Sequence, residues 1–295
     1  MGSCCAHGDS RGGISSVMTA IEVAGSSGVV ERWVVREYGE WTLMRSQQCG
    51  EVEYQILTAL RARGISVPCA VHFDGTGDIL PGPFLVLEYV DGAPDPAPKD
   101  VLDHVHQAAS VLARIHAIPA TASDLRPLLP LTDRLVEKLD PEWQKENLGE
   151  DGRRAQEVLR SAWPLEPRNP TAVLHADFWP GNQLWRDGKL VAVIDWEDVA
   201  VGDPITDLAF ARLDLFWAMG TDAMQAFTHA YRSLTEFDLT DLAYWDLCAI
   251  LRSAPFIAEW ASAWESDAFA QYGVTAATMR EGQRVFLEDA LSRLA

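Results

Sequence analysis

Residues 174–207 place four side chains that can bind a metal ion or move a proton at spacings that suit metal-assisted phosphoryl transfer: His175, Asp177, Asn182 and Asp195. Asparagine and aspartate supply oxygen ligands, which Mg²⁺ prefers, and this ion usually takes few protein ligands beside phosphates and water. A further carboxylate nearby can accept the proton of an attacking hydroxyl. The residue types and their spacing therefore predict metal-assisted phosphoryl transfer, with Asn182 and Asp195 as magnesium ligands and Asp177 as the base.

The element that positions these side chains is a predicted β-hairpin. Two apolar runs, residues 183–185 and 190–194, flank an Asp-Gly pair at residues 187–188. Asp-Gly between apolar runs is among the strongest short hairpin signals, because a type I′ turn needs a positive φ at both central positions. A turn centred on this pair puts Asn182 and Asp195 at the same open end of the hairpin, within reach of one metal ion.

Three linked segments form a family pattern: His-x-Asp-x-x-x-x-Asn at residues 175–182, Val-Ile-Asp-Trp-Glu at 193–197 and Gly-Asp-Pro-x-x-Asp-Leu-Ala at 202–209. Together they resemble the aminoglycoside phosphotransferase and choline kinase family of small-molecule kinases. The first segment departs from that family's commoner His-Gly-Asp at Ala176, and the second has Asp-Trp-Glu where protein kinases have Asp-Phe-Gly. The alternative is a hairpin with scattered acids, which the linkage of three segments disfavours.

The resemblance implies an α+β, two-lobed protein-kinase-like fold. Its N-terminal nucleotide-binding lobe, a small antiparallel β-sheet with one helix, is predicted over residues 1–92. Its C-terminal catalytic and substrate-binding lobe is mainly helical and is predicted over residues 93–295, because a proline-rich linker begins at residue 93. The resemblance also implies that His175 braces the catalytic loop and that Asp207 anchors this loop without taking part in the chemistry.

Glycine and serine residues near the N-terminus are candidates for phosphate binding. They precede a strand-like run at residues 17–23 and comprise Gly12, Gly13, Ser15 and Ser16. Glycines and serines between strands can offer backbone N–H groups to phosphates, and the family has a Gly-Gly-x-Ser loop between its first two strands. A flexible tail is the alternative, and the sequence leaves both interpretations open.

A buried ion pair is predicted between a strand at residues 29–38 and a helix at residues 51–63. Glu53 falls on the apolar face of that helix, and an unpaired buried charge is costly. Arg36 is the natural partner, and by resemblance to the kinase lysine it would bind the phosphates of the nucleotide. The alternatives are a surface arginine, with Arg32 as a competing candidate, and a glutamate that reaches solvent.

The run at residues 84–92 resembles the family's strand that leads into the hinge between the lobes. By that resemblance, backbone groups of Glu88 and Val90 would bind the adenine of a nucleotide. An ordinary buried strand is the alternative, since only the order of elements argues for a hinge.

The rest of the chain is predicted to be mostly helical. An apolar stripe indicates a helix at residues 101–116, further helices are predicted near 130–139 and 151–162, and three or four helices within 204–291. Tryptophans interleaved with acidic residues follow in the last part: Trp217, Trp245, Trp260 and Trp264. Such a surface could bind a cation through cation–π contacts, but core positions for these tryptophans are the favoured interpretation.

The net charge of −19 and the pI of about 4.6 argue against nucleic acid or an anionic membrane surface as a partner. No apolar run reaches the length of about 18 residues that a transmembrane helix needs, and no apolar signal-peptide region is present at the N-terminus. The five cysteines are scattered, without metal-ligand spacing. These observations predict a cytoplasmic protein.

The sequence thus predicts a small-molecule kinase that uses Mg²⁺ and moves the γ-phosphate of ATP or GTP to a hydroxyl of a small-molecule acceptor. The acidic charge is compatible with a cationic, aminoglycoside-like or amino-alcohol acceptor, although solubility alone also explains it. A macrolide, ketosamine or homoserine kinase is an alternative, and so is a non-catalytic nucleotide-binding protein with a kinase fold. The presence of Asp177, Asn182 and Asp195 argues against this last alternative.

Overall fold

The computed structural model describes residues 4–10, 16–24, 29–95, 97–125, 128–265 and 269–295. Gly12, Gly13 and Ser15, three of the predicted phosphate-binding residues, lie outside the described residues. The structure confirms the α+β architecture, with an antiparallel sheet in the N-terminal part and a mainly helical C-terminal part.

The N-terminal sheet consists of β1 (Cys4–Ser10), β2 (Ser16–Ala24), β3 (Val30–Tyr38), β4 (Ala70–Asp74) and β5 (Phe84–Glu88). All neighbouring strands are antiparallel and follow the order β1-β2-β3-β5-β4. Valine and aromatic residues dominate β3, as is typical of a strand with one packed face.

The helix packed on this sheet is α2 (Cys49–Ala62), which follows the short helix α1 (Glu40–Arg45). A Cβ atom on Gly50 would lie 2.6 Å from Phe73 and 2.7 Å from Tyr38, so the start of α2 packs directly on the sheet. The predicted apolar face of α2 is fully buried: Ile56, Leu57 and Leu60. The sequence predicted a single helix in this lobe, and α1 was missed because six residues are too few for a periodic pattern.

The predicted hairpin is present as β7 (Gln183–Arg186) and β8 (Lys189–Val193), which follow β6 (Ala172–Leu174). Asp187 and Gly188 have φ values of 52° and 71°, which confirms the predicted turn with positive φ at both positions. A separate short strand, β9 (Ala200–Gly202), pairs with β6 and so lies beside the loop that begins at His175.

The C-terminal part is built from helices that bury a continuous apolar core. They are α3 (Val101–His116), α4 (Leu131–Lys138), α5 (Gly149–Ala162), α6 (Ile205–Leu234), α7 (Leu242–Ser253), α8 (Ile257–Trp264) and α9 (Ala276–Ser292). The bounds of α3 agree with the prediction, and Asp100 caps this helix by accepting from the N–H of Asp103 at 3.0 Å. Within the described parts of the chain, no helix is both long and apolar enough to cross a membrane.

The segment after β5 joins the sheet to the hairpin. Ala93 and Trp185 exchange two backbone hydrogen bonds, of 3.0 and 2.8 Å. A Cβ atom on Gly92 would lie 2.8 Å from the side chain of Val191. Any larger residue at position 92 would therefore force a shift of the segment or of the hairpin. The division into lobes at residue 92 stays a prediction.

Candidate active site

The catalytic segment begins in a loop that a buried carboxylate anchors. Asp207, in the first turn of α6, accepts hydrogen bonds from the backbone N–H groups of His175 at 2.6 Å and Ala176 at 2.8 Å. Ala176 has a φ of 65°, which is costly for any residue except glycine. The two bonds to Asp207 stabilise this conformation. His116 of α3 contacts the same carboxylate at 3.2 Å, so the loop is tied to two helices.

His175 is fully buried, and both of its ring nitrogens are engaged within the loop. Nδ1 accepts from the N–H of Asp177 at 3.2 Å, and Nε2 lies 3.0 Å from the carbonyl oxygen of Ile194. A neutral imidazole with its proton on Nε2 satisfies both contacts. The ring also packs at 4.4 Å from the ring of Trp196. These contacts support the predicted bracing role, because neither nitrogen remains for proton transfer.

The carboxylate of Asp177 is bound on both of its oxygens. Oδ2 accepts from Nδ2 of Asn182 at 3.0 Å, and Oδ1 accepts from Nη2 of Arg252. Burial raises the pKa of Asp177, and the positive charge of Arg252 acts in the opposite direction. The side chain keeps 27% of its surface exposed, so an acceptor molecule can still reach it.

The predicted magnesium ligands lie together at the open end of the hairpin. The N–H of Ile194 donates to the carbonyl of Asn182 at 2.9 Å, which brings Asn182 beside Asp195. Because Nδ2 of Asn182 is committed to Asp177, its oxygen Oδ1 is the atom left for a metal. Asp195 uses only Oδ1 in hydrogen bonds and ion pairs among the described residues, which leaves Oδ2. Two oxygen donors of this kind fit Mg²⁺.

The predicted ion pair between β3 and α2 is present, and it belongs to a larger network. Arg36 donates to Glu53 at 3.0 Å, to Asp195 at 2.7 Å and to Glu197 at 2.7 Å. Tyr38 donates to the second oxygen of Glu53 at 2.7 Å. Burial raises the pKa of Glu53, and the positive charge of Arg36 opposes this rise. A single guanidinium therefore links the sheet, the helix and the segment that holds the predicted metal ligand Asp195.

The competing arginine on β3 is turned elsewhere. The guanidinium of Arg32 lies 4.4 Å from the centre of the Tyr89 ring, beside β5. Sequence reasoning did not identify Glu197 as a partner of Arg36, although its position two residues after Asp195 was visible in the Asp-Trp-Glu motif. The carboxylates of Asp195 and Glu197 both lie against one nitrogen of Arg36, and without a shared cation they would repel each other. The sequence analysis did not consider this repulsion.

Substitution of either member of the Arg36–Glu53 pair should impair turnover in the same way. Arg36→Ala and Glu53→Ala should each lower kcat/KM, and the double variant should lose little more than the worse single variant. The reason is that Glu53 acts by orienting Arg36, so the two effects are not additive. Steady-state kinetics on all three variants give the coupling, with Arg32→Ala as the matched control on the same strand. Fully additive losses would show that the two residues are not functional partners.

The predicted nucleotide contacts at the hinge are only partly available. The N–H of Glu88 donates to the carbonyl of Cys69 at 2.9 Å, and its carboxylate accepts from Arg61 at 2.9 Å. The carbonyl of Glu88 and the backbone groups of Val90 remain candidates for binding the adenine. Ser16, the one residue of the predicted glycine–serine phosphate loop that is described, begins β2, and its buried hydroxyl has no partner among the described residues. These roles stay predictions.

An arginine that the sequence analysis missed contacts the proposed base. Arg252 is 75 positions from Asp177 in the chain, so no local pattern indicated the contact. Of the tryptophans considered as a cation-binding surface, Trp217, Trp245 and Trp264 are buried, which confirms their core positions. The guanidinium of Arg252 lies 4.9 Å from the ring centre of Trp260, so the cation over this ring belongs to the chain itself.

Asp214 on α6 is a second buried acid in this region. Burial raises its pKa to about 7, an effect that Arg252 opposes and that the negative charge of Asp177 reinforces. Because the pKa of Asp214 is higher in the folded protein than in the unfolded chain, protonation of this carboxyl group favours the folded state. Its contribution to stability is complete below its ordinary pKa of about 4 and is lost as the pH rises through about 7.

Asp214→Asn should therefore make the protein less sensitive to alkaline pH. The amide cannot ionise, so the Tm difference between variant and wild type should grow in favour of the variant as the pH rises from about 4 to 8. We expect a gain of several degrees at the upper end. Scanning calorimetry across this range measures it, with Asp222→Asn, an exposed position on the same helix, as the control. Parallel Tm curves for Asp214→Asn and wild type would contradict the protonated-acid assignment.

The fold and the placement of these side chains define a small-molecule kinase of the protein-kinase-like class. The sequence model of the phosphotransferase enzyme family matches residues 25–266, and the chain belongs to that family.

Curated relatives resemble parts of the chain. Acyl-CoA dehydrogenase family member 10 from Mus musculus is 29% identical over 193 residues, which are 61% of this chain and 18% of that protein. Viomycin phosphotransferase from Streptomyces vinaceus is 33% identical over 141 residues, 43% of this chain and 48% of that one. Homoserine kinase from Granulibacter bethesdensis is 27% identical over 181 residues, 53% and 50% of the two chains. The chain spans about half or less of the length of these relatives.

Solved structures resemble nearly the whole chain. A macrolide 2′-phosphotransferase of type I has a TM-score of 0.64 at 15% identity and covers 96% of this chain and 92% of its own. An amicoumacin kinase bound to AMP-PNP and Ca²⁺ has a TM-score of 0.62 at 15% identity, with coverages of 96% and 88%. At this level of identity the likeness shows the fold, and it agrees with the architecture predicted from the sequence.

Proposed function

We propose that this chain transfers the γ-phosphate of ATP or GTP to a hydroxyl of a small molecule, with Mg²⁺ as its metal. The observation that supports this proposal is the contact between Asp177 and Asn182 at 3.0 Å, beside Asp195 at the open end of the hairpin. A base and two metal ligands are thus available within one short segment. A structural neighbour that holds a nucleotide analogue and a divalent cation supports a metal–nucleotide substrate.

The proposed chemistry is a single displacement. Asp177 orients the acceptor hydroxyl and accepts its proton as the oxygen forms a bond to the γ-phosphorus. The bond from the γ-phosphorus to the bridging oxygen breaks, and the nucleoside diphosphate leaves. Asn182 and Asp195 would bind Mg²⁺, which neutralises phosphate charge when it is bound. Arg36 would contact the phosphates, and Glu53 keeps its guanidinium in place.

The relatives and the net charge favour a chemical class of acceptor and do not identify the compound. Two relatives are named as a viomycin phosphotransferase and a homoserine kinase, and a net charge of −19 favours cationic ligands in general. These facts support an amino-alcohol or aminoglycoside-like acceptor. Macrolide and ketosamine acceptors are the alternatives within the same family, and the cytoplasmic location stays a prediction.

A panel of acceptors tests the proposal. Release of nucleoside diphosphate is measured with ATP or GTP, magnesium and one of kanamycin, erythromycin, choline, homoserine or fructoselysine. We expect one acceptor class to raise turnover well above the rate with water alone, and mass spectrometry should find the phosphorylated product. If calorimetry detects nucleotide binding but no acceptor is phosphorylated, and the background rate is equal in Asp195→Asn, the non-catalytic alternative replaces this proposal.

A further inference from the structure

Arg252 occupies an enclosed place between three helices. It lies near the end of α7, and its guanidinium is 4.7 Å from the ring centre of Phe210 on α6 and 4.9 Å from that of Trp260 on α8. Its side chain is only 17% exposed. Nη2 points to the catalytic loop and donates to Oδ1 of Asp177. The helical core therefore delivers one fixed positive charge to the proposed base.

Holding the Arg252 side chain in this position carries a large unfavourable free energy from lost rotamer freedom and desolvation. An arginine side chain loses rotamer freedom when it is immobilised. A guanidinium removed from water needs a partner and favourable contacts, because desolvation otherwise exceeds the Coulomb gain. The aromatic faces of Phe210 and Trp260 supply cation–π contacts, and Asp177 supplies the counter-charge. These contacts hold the guanidinium in one position without any contribution from a ligand.

The same geometry fixes the carboxylate of Asp177. One oxygen is bound by Arg252 and the other by Asn182, so the plane of the carboxylate cannot rotate without breaking a bond. Each carboxylate oxygen has further acceptor capacity after one hydrogen bond. A base whose orientation is set in advance reaches the reactive geometry at a lower cost, and small errors in placement reduce the rate strongly.

We propose that Arg252 is a positioning residue that orients the carboxylate of Asp177 toward the acceptor hydroxyl. This inference rests on the proposed role of Asp177 as the base. In this proposal Arg252 acts through Asp177 and not by its own contact with the acceptor or the phosphates.

A structural ion pair and a positioning residue differ in what their loss changes. The loss of a structural pair lowers the melting temperature, while the kcat of the folded fraction is unaffected. The loss of a positioning residue lowers kcat, with nucleotide affinity nearly unchanged. The chain offers a matched control: Arg212 donates to Asp246 at 3.0 and 3.1 Å and lies 5.7 Å from the ring centre of Phe286, away from the loop.

The experiment compares Arg252→Met, Arg252→Lys and Arg212→Met with wild type, using magnesium-ATP and the best acceptor from the panel. Calorimetric nucleotide binding gives the folded, competent fraction, to which kcat is normalised. We expect Arg252→Met to lower kcat by about 10- to 100-fold, with nucleotide Kd within about twofold. Arg252→Lys should recover part of the loss, because it keeps the charge. Arg212→Met should lower Tm and leave the normalised kcat near wild type.

A double variant separates this inference from the proposed function. If Arg252 acts through Asp177, Arg252→Met should add little to the loss already caused by Asp177→Asn. A normalised kcat of Arg252→Met within about twofold of wild type overturns the inference, and so does an additive loss in the double variant. If Asp177→Asn alone retains full kcat, the base assignment fails first, whatever Arg252 does.

Discussion

Asp195→Asn should remove most magnesium-dependent turnover, by on the order of 10²–10³-fold or more. The amide keeps the size of the side chain but loses the charge that attracts Mg²⁺, and Oδ2 of Asp195 makes no hydrogen bond or ion pair with any described residue. Asparagine is the suitable replacement because residue 195 has a φ of 65°, which asparagine tolerates better than alanine. The titration of kcat against magnesium concentration measures the effect.

The control for this variant comes from the same hairpin. Asp187 lies at the closed end, with a φ of 52°, so Asp187→Asn makes the same chemical change in a similar backbone conformation. It should leave turnover near wild type. If Asp195→Asn retains activity within about tenfold of wild type, with the same magnesium dependence, Asp195 is not a metal ligand.

Asp177→Asn should lower kcat by about 10²–10⁴-fold, while nucleotide affinity changes little. The amide preserves the shape of the side chain and loses the ability to accept the proton of the acceptor hydroxyl. The amide oxygen can still accept from Arg252, but the amide nitrogen then faces the donor Nδ2 of Asn182, so one hydrogen bond of the loop is lost and Tm is measured beside the kinetics. Calorimetry with magnesium-nucleotide, beside kcat on the acceptor identified by the panel, separates chemistry from binding.

Two outcomes would contradict this assignment. A collapse of nucleotide affinity with a surviving kcat at saturation would make Asp177 a binding residue. A kcat loss that a lowered Tm fully explains would make it a structural residue. The Asp187→Asn control applies here as well, since it shows what an aspartate-to-asparagine change does at a nearby position that the proposed chemistry does not use.

Much of this site was predictable because its signals are local. The Asp-Gly turn required positive φ values at two adjacent residues, and the structure has them at Asp187 and Gly188. The partnership of Arg36 with Glu53 followed from one rule, that a charge on an apolar helix face needs a counter-charge. Likewise, the apolar stripe of α3 predicted its bounds without any tertiary information.

What the sequence could not predict depends on packing between distant elements. The contact of Arg252 with Asp177 requires α6, α7 and α8 to converge on the loop, and no periodic pattern encodes their relative placement. The same holds for the contact of His116 with Asp207, which links helices far apart in the chain. The family pattern suggested an anchoring role for Asp207 but did not reveal this histidine. Tertiary geometry alone decides which charges meet.

The anchoring of the catalytic loop by Asp207 affects how mutational scans of this enzyme would be interpreted. A scan scored by resistance or growth records the product of abundance and rate per molecule. Substitutions at Asp207 would leave two buried N–H groups without an acceptor and would deplete the folded protein. In such a scan Asp207 would be as intolerant as Asp177, although it touches no reactant. Only a paired measurement of protein level would distinguish a residue that maintains the fold from a residue that takes part in the proposed reaction.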